Sequence, residues 1–278
     1  MSKAYQFAPI TTDTASLNAL SLFLGEVFEQ PDLFSYDYLH WQYVANPEGE
    51  IVGFTAAQNA QLAAQYALQP FRALIGGRAV ACLLSLNTAT SSQHRGRGLF
   101  TQLAKRSYAL ARELGYELIV GVANANSMPG FVNKLGFKTL GPLAVRLGFG
   151  PLQRKQNPIV PQYQQLWSRE SLTWRLDKPK GKYYCRGSQI MVPSAYPQIA
   201  ACLGHFAQTD FSLAKGSHTL LKLYLGLDPN LHFGRYYVNI PQKLRPSPLH
   251  FIYKSLGEQD FALRRETTLF QALDFDAY

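Results

Sequence analysis

Residues 93–98 read Gln-His-Arg-Gly-Arg-Gly and lie between an apolar run and a segment with helical periodicity. The first turn of a helix has unpaired backbone N–H groups and carries the positive end of the helix dipole, and this combination binds phosphate oxygens. Gly96 and Gly98 let the backbone approach a ligand without interference from a Cβ atom, and Arg95 and Arg97 add positive charge. The spacing predicts a loop that binds a pyrophosphate.

Two well-known phosphate-binding motifs do not fit this loop. A Walker A loop ends in Gly-Lys-Ser or Gly-Lys-Thr, and no such ending follows Gly98. A dinucleotide fingerprint needs a third glycine and an acidic residue about 20 positions later, at the end of the next strand, and the chain has neither. A short glycine pattern also marks ordinary turns, so the surrounding segments must decide between a ligand loop and a plain turn.

The segments around the loop follow one another in an informative order. Residues 78–86 are an apolar run that predicts a buried strand, and leucines at positions 99, 103, 110 and 114 predict an amphipathic helix that ends at Gly115. A second apolar run precedes Asn-Ala-Asn-Ser at residues 124–127, a short helical stretch and a Gly-Phe pair. Together with the Q-x-x-G-x-G pattern, this order over residues 82–140 resembles the core of the GNAT acetyltransferase superfamily.

The resemblance implies an α/β (α+β) fold with a mixed, mostly antiparallel central sheet, and a site for acetyl-CoA as acyl donor. In this family the loop holds the pyrophosphate, the strand before it splays from its parallel neighbour, and the Asn/Ser turn flanks the pantetheine and thiol end. The residues that the resemblance places around acetyl-CoA are Leu86, Thr88, Gln93, His94, Arg95, Gly96, Arg97, Gly98, Leu99, Phe100, Asn124 and Asn126. No metal is expected.

The acid and base of the reaction are not marked by the family's usual residues. Many GNAT enzymes have a carboxylate on the strand before the loop and a tyrosine in the helix before the Gly-Phe pair. Here residues 85–90 contain no carboxylate, and Val132 occupies the tyrosine position. Backbone N–H groups of the splayed strand are expected to bind the acyl carbonyl oxygen. Because a thiol has a pKa of about 8.5, its thiolate can leave with little assistance.

Two polar residues near the predicted thiol end are the predicted catalytic residues, Asn87 and Ser127. Three aromatic residues, Tyr38, Trp41 and Phe131, are predicted to bind the second substrate by lining a sugar or peptide pocket. Aromatic side chains in such numbers also build cores, and that alternative stays open.

The second half of the chain repeats part of the first. A helix-like segment with Trp41 precedes Asn-Pro, and a similar segment with Trp174 precedes Lys-Pro. This repeat predicts a catalytic GNAT domain over residues 1–150 and a degenerate GNAT-like domain over residues 151–278, which lacks the cofactor loop and shapes the acceptor site. One domain with an unrelated extension is the alternative. Within the second half we expect a helix over 217–225 and strands near 183–192, 199–206, 233–239, 249–253 and 267–273.

The composition indicates a folded protein without a membrane span. Of the 278 residues, 47% are hydrophobic and 13% aromatic, which supports real cores. The cysteines Cys82, Cys185 and Cys202 are too scattered for a disulfide framework or a zinc site. There is neither a signal-peptide pattern at the N-terminal end nor a run of roughly 18 apolar residues, so we expect a soluble, cytoplasmic protein.

Positive charge is concentrated in the second half. Residues 1–150 contain 11 Lys and Arg against 9 Asp and Glu, whereas residues 151–278 contain 16 against 9. This excess favours either an anionic partner or a solvated basic surface. A basic cluster over residues 175–186 includes two tyrosines, a composition that can bind single-stranded nucleic acid. Because no nucleic-acid-binding motif accompanies it, a nucleic acid is disfavoured as a partner.

These observations favour a transferase, an acetyl-CoA-dependent N-acetyltransferase that acts on a primary amine of a small molecule. An amino sugar is the first candidate for the acceptor, and a peptide amine is the next. Two alternatives remain: a tRNA-dependent aminoacyltransferase of the Fem type, which also pairs two GNAT-like domains, and an acyl-CoA-binding protein without catalytic activity. The sequence leaves the oligomeric state open.

Overall fold

The computed structural model describes residues 4–216 and 219–278. Its first part contains three α-helices and six strands, followed along the chain by a second set of strands. The helices are α1 (Thr14–Val27), α2 (Tyr36–Tyr43) and α3 (Leu99–Glu113), and the strands are β1 (Gln6–Pro9), β2 (Val52–Gln58), β3 (Gln61–Ile75), β4 (Arg78–Thr90), β5 (Leu118–Ala123) and β6 (Lys138–Pro142). A π-helical turn spans Gly130–Lys134.

Local sequence explains where the first two helices begin. The Asp13 carboxylate accepts a hydrogen bond from the Ser16 N–H at 3.0 Å and so caps α1. The Ser35 hydroxyl accepts one from the Tyr38 N–H at 3.3 Å and caps α2. Each short polar side chain satisfies an N–H group that has no acceptor within the helix.

The rest of the chain, which begins with Ala144 at the end of the first half, is mostly strands. They are β7 (Ala144–Gly148), β8 (Gln153–Arg154), β9 (Tyr163–Gln165), β10 (Tyr184–Arg186), β11 (Gln189–Pro193), β12 (Ile199–His205), β13 (Leu221–Leu227), β14 (Leu231–His232), β15 (Tyr237–Asn239), β16 (His250–Ser255) and β17 (Phe270–Gln271), with one helix, α4 (Arg169–Leu176). The described residues also form short 3₁₀ turns at Ser92–His94, Gln242–Leu244, Arg265–Thr267 and Ala272–Phe275.

The strands form two main sheets with matching order. The first runs β1-β2-β3-β4-β5-β16-β6, and the second runs β10-β11-β12-β13-β7-β15. In each sheet one parallel pair, β4 with β5 or β12 with β13, is flanked by antiparallel strands. From that pair outward, β16 corresponds to β7 and β6 corresponds to β15. The second sheet therefore repeats the strand order of the first around its parallel pair.

Both sheets contain strands from the other half of the chain, and the first sheet receives β9, which pairs with β3, as well as β16. β16 lies between β5 and β6 in the first sheet, although it comes from residues 250–255. β7 lies between β13 and β15 in the second sheet, although it directly follows β6 along the chain. The boundary predicted at residue 150 therefore does not separate the two sheets, because the halves exchange strands.

Helices and the second half cover opposite faces of the first sheet. Leu99, Leu103 and other residues of α3 pack on one face together with Phe131. On the other face, α1 and α2 pack with Trp174 of α4, and strands of the second half cover the remainder around Phe251. The parallel pair β4–β5 is thus enclosed on both faces.

The two tryptophans of the sequence repeat contact each other. The Trp41 and Trp174 rings stack with centroids 5.0 Å apart and planes at 19°. The Trp41 indole N–H donates to the Trp174 carbonyl at 2.7 Å, and the Trp174 indole N–H donates to the Trp41 carbonyl at 2.8 Å. This reciprocal pair joins α2 of the first half to α4 of the second.

The helix predicted over 217–225 is wrong over the residues described. Residues Leu221–Leu227 form β13, paired with β12 on one side and β7 on the other; Ser217 and His218 lie outside the described residues. Alternation of half-buried and buried side chains along Leu221–Gly226 is the period of a strand. The strand predicted near 249–253 is confirmed as β16, but in the first sheet, and that near 267–273 is reduced to β17.

Replacement of Trp174 tests the connection between the halves. We expect Trp174→Ala to lower the free energy of unfolding by about 3–5 kcal/mol, because a buried ring is lost and the Trp41 carbonyl loses its donor. Chemical denaturation would measure this change. Tyr196→Ala removes an aromatic side chain that is 72% exposed and serves as the control. A loss for Trp174→Ala no larger than that for the control would contradict a stabilising role for the pair.

Candidate active site

The first sheet opens between β4 and β5. Their parallel pairing ends at Ser85 with Gly121, although β4 continues to Thr90 and β5 to Ala123. The register of β4 against β3 shifts near Asn87, which has a φ of 46°. Such a bulge bends a strand and increases its twist, so β4 turns away from β5. The splay predicted around residues 86–88 is confirmed.

The glycine loop leads directly into α3. Gly96 and Gly98 have φ values of 75° and 72°, the left-handed region that favours glycine. Gly98 is the N-cap residue of α3, and among the described side chains none caps the first turn. The first N–H to bond back into the helix is that of Gln102, which donates to the Gly98 carbonyl at 3.1 Å. The preceding amides are therefore available to an external acceptor.

The Tyr5 hydroxyl holds two side chains of the loop. It forms a hydrogen bond of 2.7 Å with His94 Nδ1 and accepts one of 3.0 Å from the Arg97 guanidinium, which also donates to the Gln93 carbonyl at 3.2 Å. Arg95 is exposed. Tyr5 was missed by the sequence analysis, because nothing in its surroundings along the chain indicates a contact 89 positions away.

Two predicted cofactor residues direct their side chains into packing contacts. The Leu99 side chain is buried in the core beneath α3. The Phe100 ring packs edge-on against Phe131, with centroids 5.3 Å apart. Their N–H groups belong to the uncapped first turn of α3, so these residues can contact a ligand at the loop without their side chains.

The predicted Asn/Ser turn is a closed set of hydrogen bonds. The Asn124 side-chain oxygen accepts bonds from the N–H groups of Asn126 and Ser127, each at 3.0 Å. The Ser127 hydroxyl accepts one from the Asn124 N–H at 3.1 Å and donates to the Asn124 carbonyl at 3.3 Å. Ser127 therefore stabilises the turn at the end of β5, and its catalytic role stays a prediction.

Asn87 lies in the opening, where the bulge occurs. Its side-chain NH₂ donates to Gln42 Oε1 at 2.6 Å and to the Tyr43 hydroxyl at 3.1 Å. The neighbouring Thr88 hydroxyl is buried and has no hydrogen-bond partner among the described residues. Leu86 is half-buried. The sequence analysis missed Gln42 and Tyr43, because their contact with β4 depends on how α2 packs.

The structure places the three predicted substrate residues in cores. Tyr38, Trp41 and Phe131 are only 5–6% exposed. Trp41 stacks on Trp174, and Phe131 lies among Phe100, Tyr66 and Phe137. Tyr38 and Trp41 nevertheless border surface pockets, so the substrate role of the three residues stays a prediction. Burial of large aromatic surface stabilises the fold, and it accounts for these positions.

The corresponding opening of the second sheet is filled. Pairing of β12 with β13 ends at Cys202 with Tyr224. Beyond that point β17 pairs with β13, and Gln271 Oε1 accepts a hydrogen bond from the His205 N–H of β12 at 2.7 Å. The described residues between β12 and β13 form no helix. In the described part of the chain, no segment enters the opening of the first sheet in this way.

A buried carboxyl group holds the segment that fills the second opening. Asp274 accepts hydrogen bonds from the Gln271 N–H at 2.7 Å and from the Trp167 indole N–H at 3.1 Å. Burial nevertheless raises the pKa of Asp274 from 3.8 to about 7, because loss of solvation outweighs both bonds and the nearby Arg175 charge.

The family comparison agrees with this geometry. Residues 12–140 match the model of the acetyltransferase (GNAT) domain, which includes both the open pair β4–β5 and the glycine loop. Residues 12–140 form a GNAT domain. No curated protein matches the chain at a significant level.

Solved structures extend the likeness beyond the GNAT domain. A conserved protein of unknown function from Enterococcus faecalis V583, titled a probable N-acyltransferase, aligns with a TM-score of 0.59 at 10% identity over 91% of this chain and 73% of its own. A GCN5-related N-acetyltransferase from Anabaena variabilis gives 0.56 at 10% identity over 91% and 73%. One from Kribbella flavida gives 0.55 at 12% identity over 90% and 71%. At these identities the likeness is one of fold.

The described residues contain neither a membrane-spanning helix nor a metal cluster. Across 4–216 and 219–278, no helix is long and apolar enough to cross a membrane. Over the same ranges, no three His, Cys, Asp or Glu residues lie together as a metal site requires.

The raised pKa of Asp274 should make the stability of the folded protein depend on pH. A carboxyl group whose pKa is higher in the folded state stabilises that state below its unfolded pKa, and this stabilisation is lost as the pH rises through the folded pKa. We compare the unfolding free energy of the wild type with that of Asp274→Asn. As the pH rises from 4 to 8, the wild-type value minus the variant value should fall by up to about 4 kcal/mol. Urea denaturation across this range would measure it.

Comparison with the variant removes an opposing contribution. Burial lowers the pKa of His205 to about 4, so His205 makes the protein less stable as the pH falls from the ordinary value towards 4. Since His205 is present in both proteins, the difference between their pH profiles reports on Asp274. Parallel profiles would show that Asp274 has an ordinary pKa.

Proposed function

We propose that the protein is an acetyl-CoA-dependent N-acetyltransferase that transfers an acetyl group to a primary amine of a small molecule. One observation carries this proposal: Tyr66 accepts a hydrogen bond from Ser85, where the pairing of β4 with β5 ends, and packs against Phe100 in the uncapped first turn of α3. An amino sugar is our first candidate for the acceptor. The three cysteines are free, which suits the reducing conditions of the cytoplasm, where we expect the enzyme to act.

The residues around the opening fit acetyl-CoA as the acyl donor. The amides of residues 96–100 would hold the pyrophosphate, and Gly96 leaves room for it, because a Cβ atom there would have no neighbour within 4 Å. The Thr88 hydroxyl lacks a partner and could bond a pantetheine amide. Bound in this way, acetyl-CoA supplies an activated thioester. The contrast with the filled second opening supports one donor site per chain.

The proposed transfer forms a bond from the amine nitrogen to the acetyl carbon and breaks the carbon–sulfur bond. The proton lost by the amine balances the one gained by the thiol. Unpaired N–H groups of β4 are suited to stabilise negative charge on the acyl oxygen. A thiol with a pKa near 8.5 needs little help to leave, so the absence of a carboxylate from residues 85–90 is compatible with catalysis.

An acyl-CoA-binding protein without turnover is the second candidate. The specific observation in its favour is the pair of departures from the family pattern, no carboxylate before the loop and Val132 in the tyrosine position. The two candidates share the same donor site and differ in turnover. An assay with glucosamine and acetyl-CoA that measures free thiol would separate them, since only the enzyme releases thiol and forms acetylated product.

Binding of acetyl-CoA is the first test. We expect saturating acetyl-CoA to raise the melting temperature by several degrees, since a ligand at 100 times its Kd stabilises the folded state by about 2.7 kcal/mol. The double variant Gly96→Ala, Gly98→Ala should lose most of this shift, because Cβ atoms would strain the loop and crowd the ligand. Differential scanning fluorimetry would measure both.

Gly115→Ala provides a matched control at the other end of α3. Gly115 has a φ of 83° and open space around it, as Gly96 does, so its replacement introduces similar backbone strain away from the loop. The control should melt at a lower temperature but keep the full shift with acetyl-CoA. If the wild type shows no shift, or the loop variant and the control respond alike, the donor site proposed here is wrong.

A further inference from the structure

A series of buried hydrogen bonds joins the C-terminal residues to the opening. Asn87 donates to Gln42 Oε1 at 2.6 Å, and Gln42 Nε2 donates to the Tyr38 hydroxyl at 3.1 Å. The Tyr38 hydroxyl in turn donates to a carboxylate oxygen of Asp276 at 2.9 Å. Gln42 and Tyr38 are 2% and 6% exposed, so water competes little for these bonds.

The carboxylate at the end of the series is held by two cations. Lys178 Nζ lies 3.0 Å and Arg175 3.4 Å from Asp276 Oδ1. All three side chains are nine-tenths or more buried. Lys178 donates to Asp276 Oδ1 and the Tyr38 hydroxyl donates to Oδ2, so both oxygens of this carboxylate act as acceptors.

The acceptor role of Asp276 sets the direction of every bond in the series. Tyr38 must donate to Asp276, and it stays protonated, because burial and the carboxylate raise its pKa well above the ordinary value. Its oxygen is then an acceptor, so Gln42 must present NH₂ to Tyr38 and its carbonyl oxygen to Asn87. Asn87 must therefore present its NH₂ to Gln42.

The side-chain carbonyl oxygen of Asn87 is left as a free acceptor among the described residues. The NH₂ of Asn87 bonds Gln42 and Tyr43, and among the described residues Oδ1 has no hydrogen-bond partner. Asn87 lies on β4 two positions beyond Ser85, where the pairing with β5 ends. An attacking primary amine is neutral and carries N–H donors, which a carbonyl oxygen at this position can accept.

We propose that Asp276, through Tyr38 and Gln42, fixes the orientation of the Asn87 amide so that Asn87 Oδ1 receives an N–H of the acceptor amine. Asn87 is then a binding residue for the second substrate, and Asp276, Tyr38 and Gln42 are positioning residues. The inference rests on the proposed function and adds the recognition of the amine to it. It gives Asp276, a residue of the second half, a role in the site of the first half.

The orientation of Asn87 is measurable by NMR without any acceptor. The NMR signals of the Asn87 side-chain NH₂ are assigned by their loss in Asn87→Asp. Because both hydrogens are bonded, they should exchange slowly with water. In Asp276→Asn, an amide can donate as well as accept, so the direction of the series is no longer fixed. We expect exchange of the Asn87 NH₂ to become about tenfold faster, the loss of one hydrogen bond.

Two further variants keep the result interpretable. Gln42→Met breaks the series without disturbing Arg175 and Lys178, and should accelerate exchange to a similar degree even if Asp276→Asn fails to fold. Asp260→Asn is the matched control, because Asp260 bonds Lys138 in an exposed pair remote from the series, and it should leave exchange unchanged. Rapid exchange in the wild type, or slow exchange in Gln42→Met, would overturn the proposed orientation.

Amine recognition is tested with glucosamine, spermidine and glycylglycine in the presence of acetyl-CoA. At least one amine should shift the Asn87 side-chain signals, and its KM should rise about tenfold in Gln42→Met while the KM for acetyl-CoA stays within twofold. If acetyl-CoA binds but none of the three amines shifts these signals, the recognition is wrong while the donor site stands. If acetyl-CoA itself fails to bind, the proposed function has failed.

Discussion

The reciprocal exchange of β7 and β16 is the constraint on which the rest of the structure depends. Neither sheet is complete without a strand from the other half: β16 fills the place between β5 and β6, and β7 fills the place between β13 and β15. The contact of Trp41 with Trp174 adds packing at the helices. Each half therefore completes the sheet of the other. This close association explains how the Asp276 side chain can accept a hydrogen bond from Tyr38 of α2.

The same sheet design has been put to two uses. In both sheets the parallel strands stop pairing with each other after a short stretch. In the first sheet this opening adjoins the uncapped start of α3. In the second sheet, Gln271 and β17 satisfy the strands from within the chain. A backbone group that bonds its own chain is not available to a ligand, so the second opening is closed in a way that the first, among the described residues, is not.

Local features of the chain could be predicted from the sequence. The leucine spacing of α3 and its end near Gly115 involve neighbouring residues, and this prediction is confirmed. The place of β16 could not be predicted, because a strand's pattern does not say which sheet it joins. The contact of Trp41 with Trp174 could not be predicted either, because the two residues are 133 positions apart. Gln42 carries no local signal at all, since its role depends on Asn87 and on Tyr38.

The strand exchange also bears on how the chain is made. A ribosome adds residues at about 5–20 per second, and roughly 100 residues separate β6 from β16. For some 5–20 seconds after β6 has been synthesised, the first sheet lacks the strand that should lie between β5 and β6. During that interval two strand edges stay open to wrong partners, among them the neighbouring β7, which is already present. Correct folding of this protein therefore depends on β7 not occupying the place reserved for a strand that has yet to be translated.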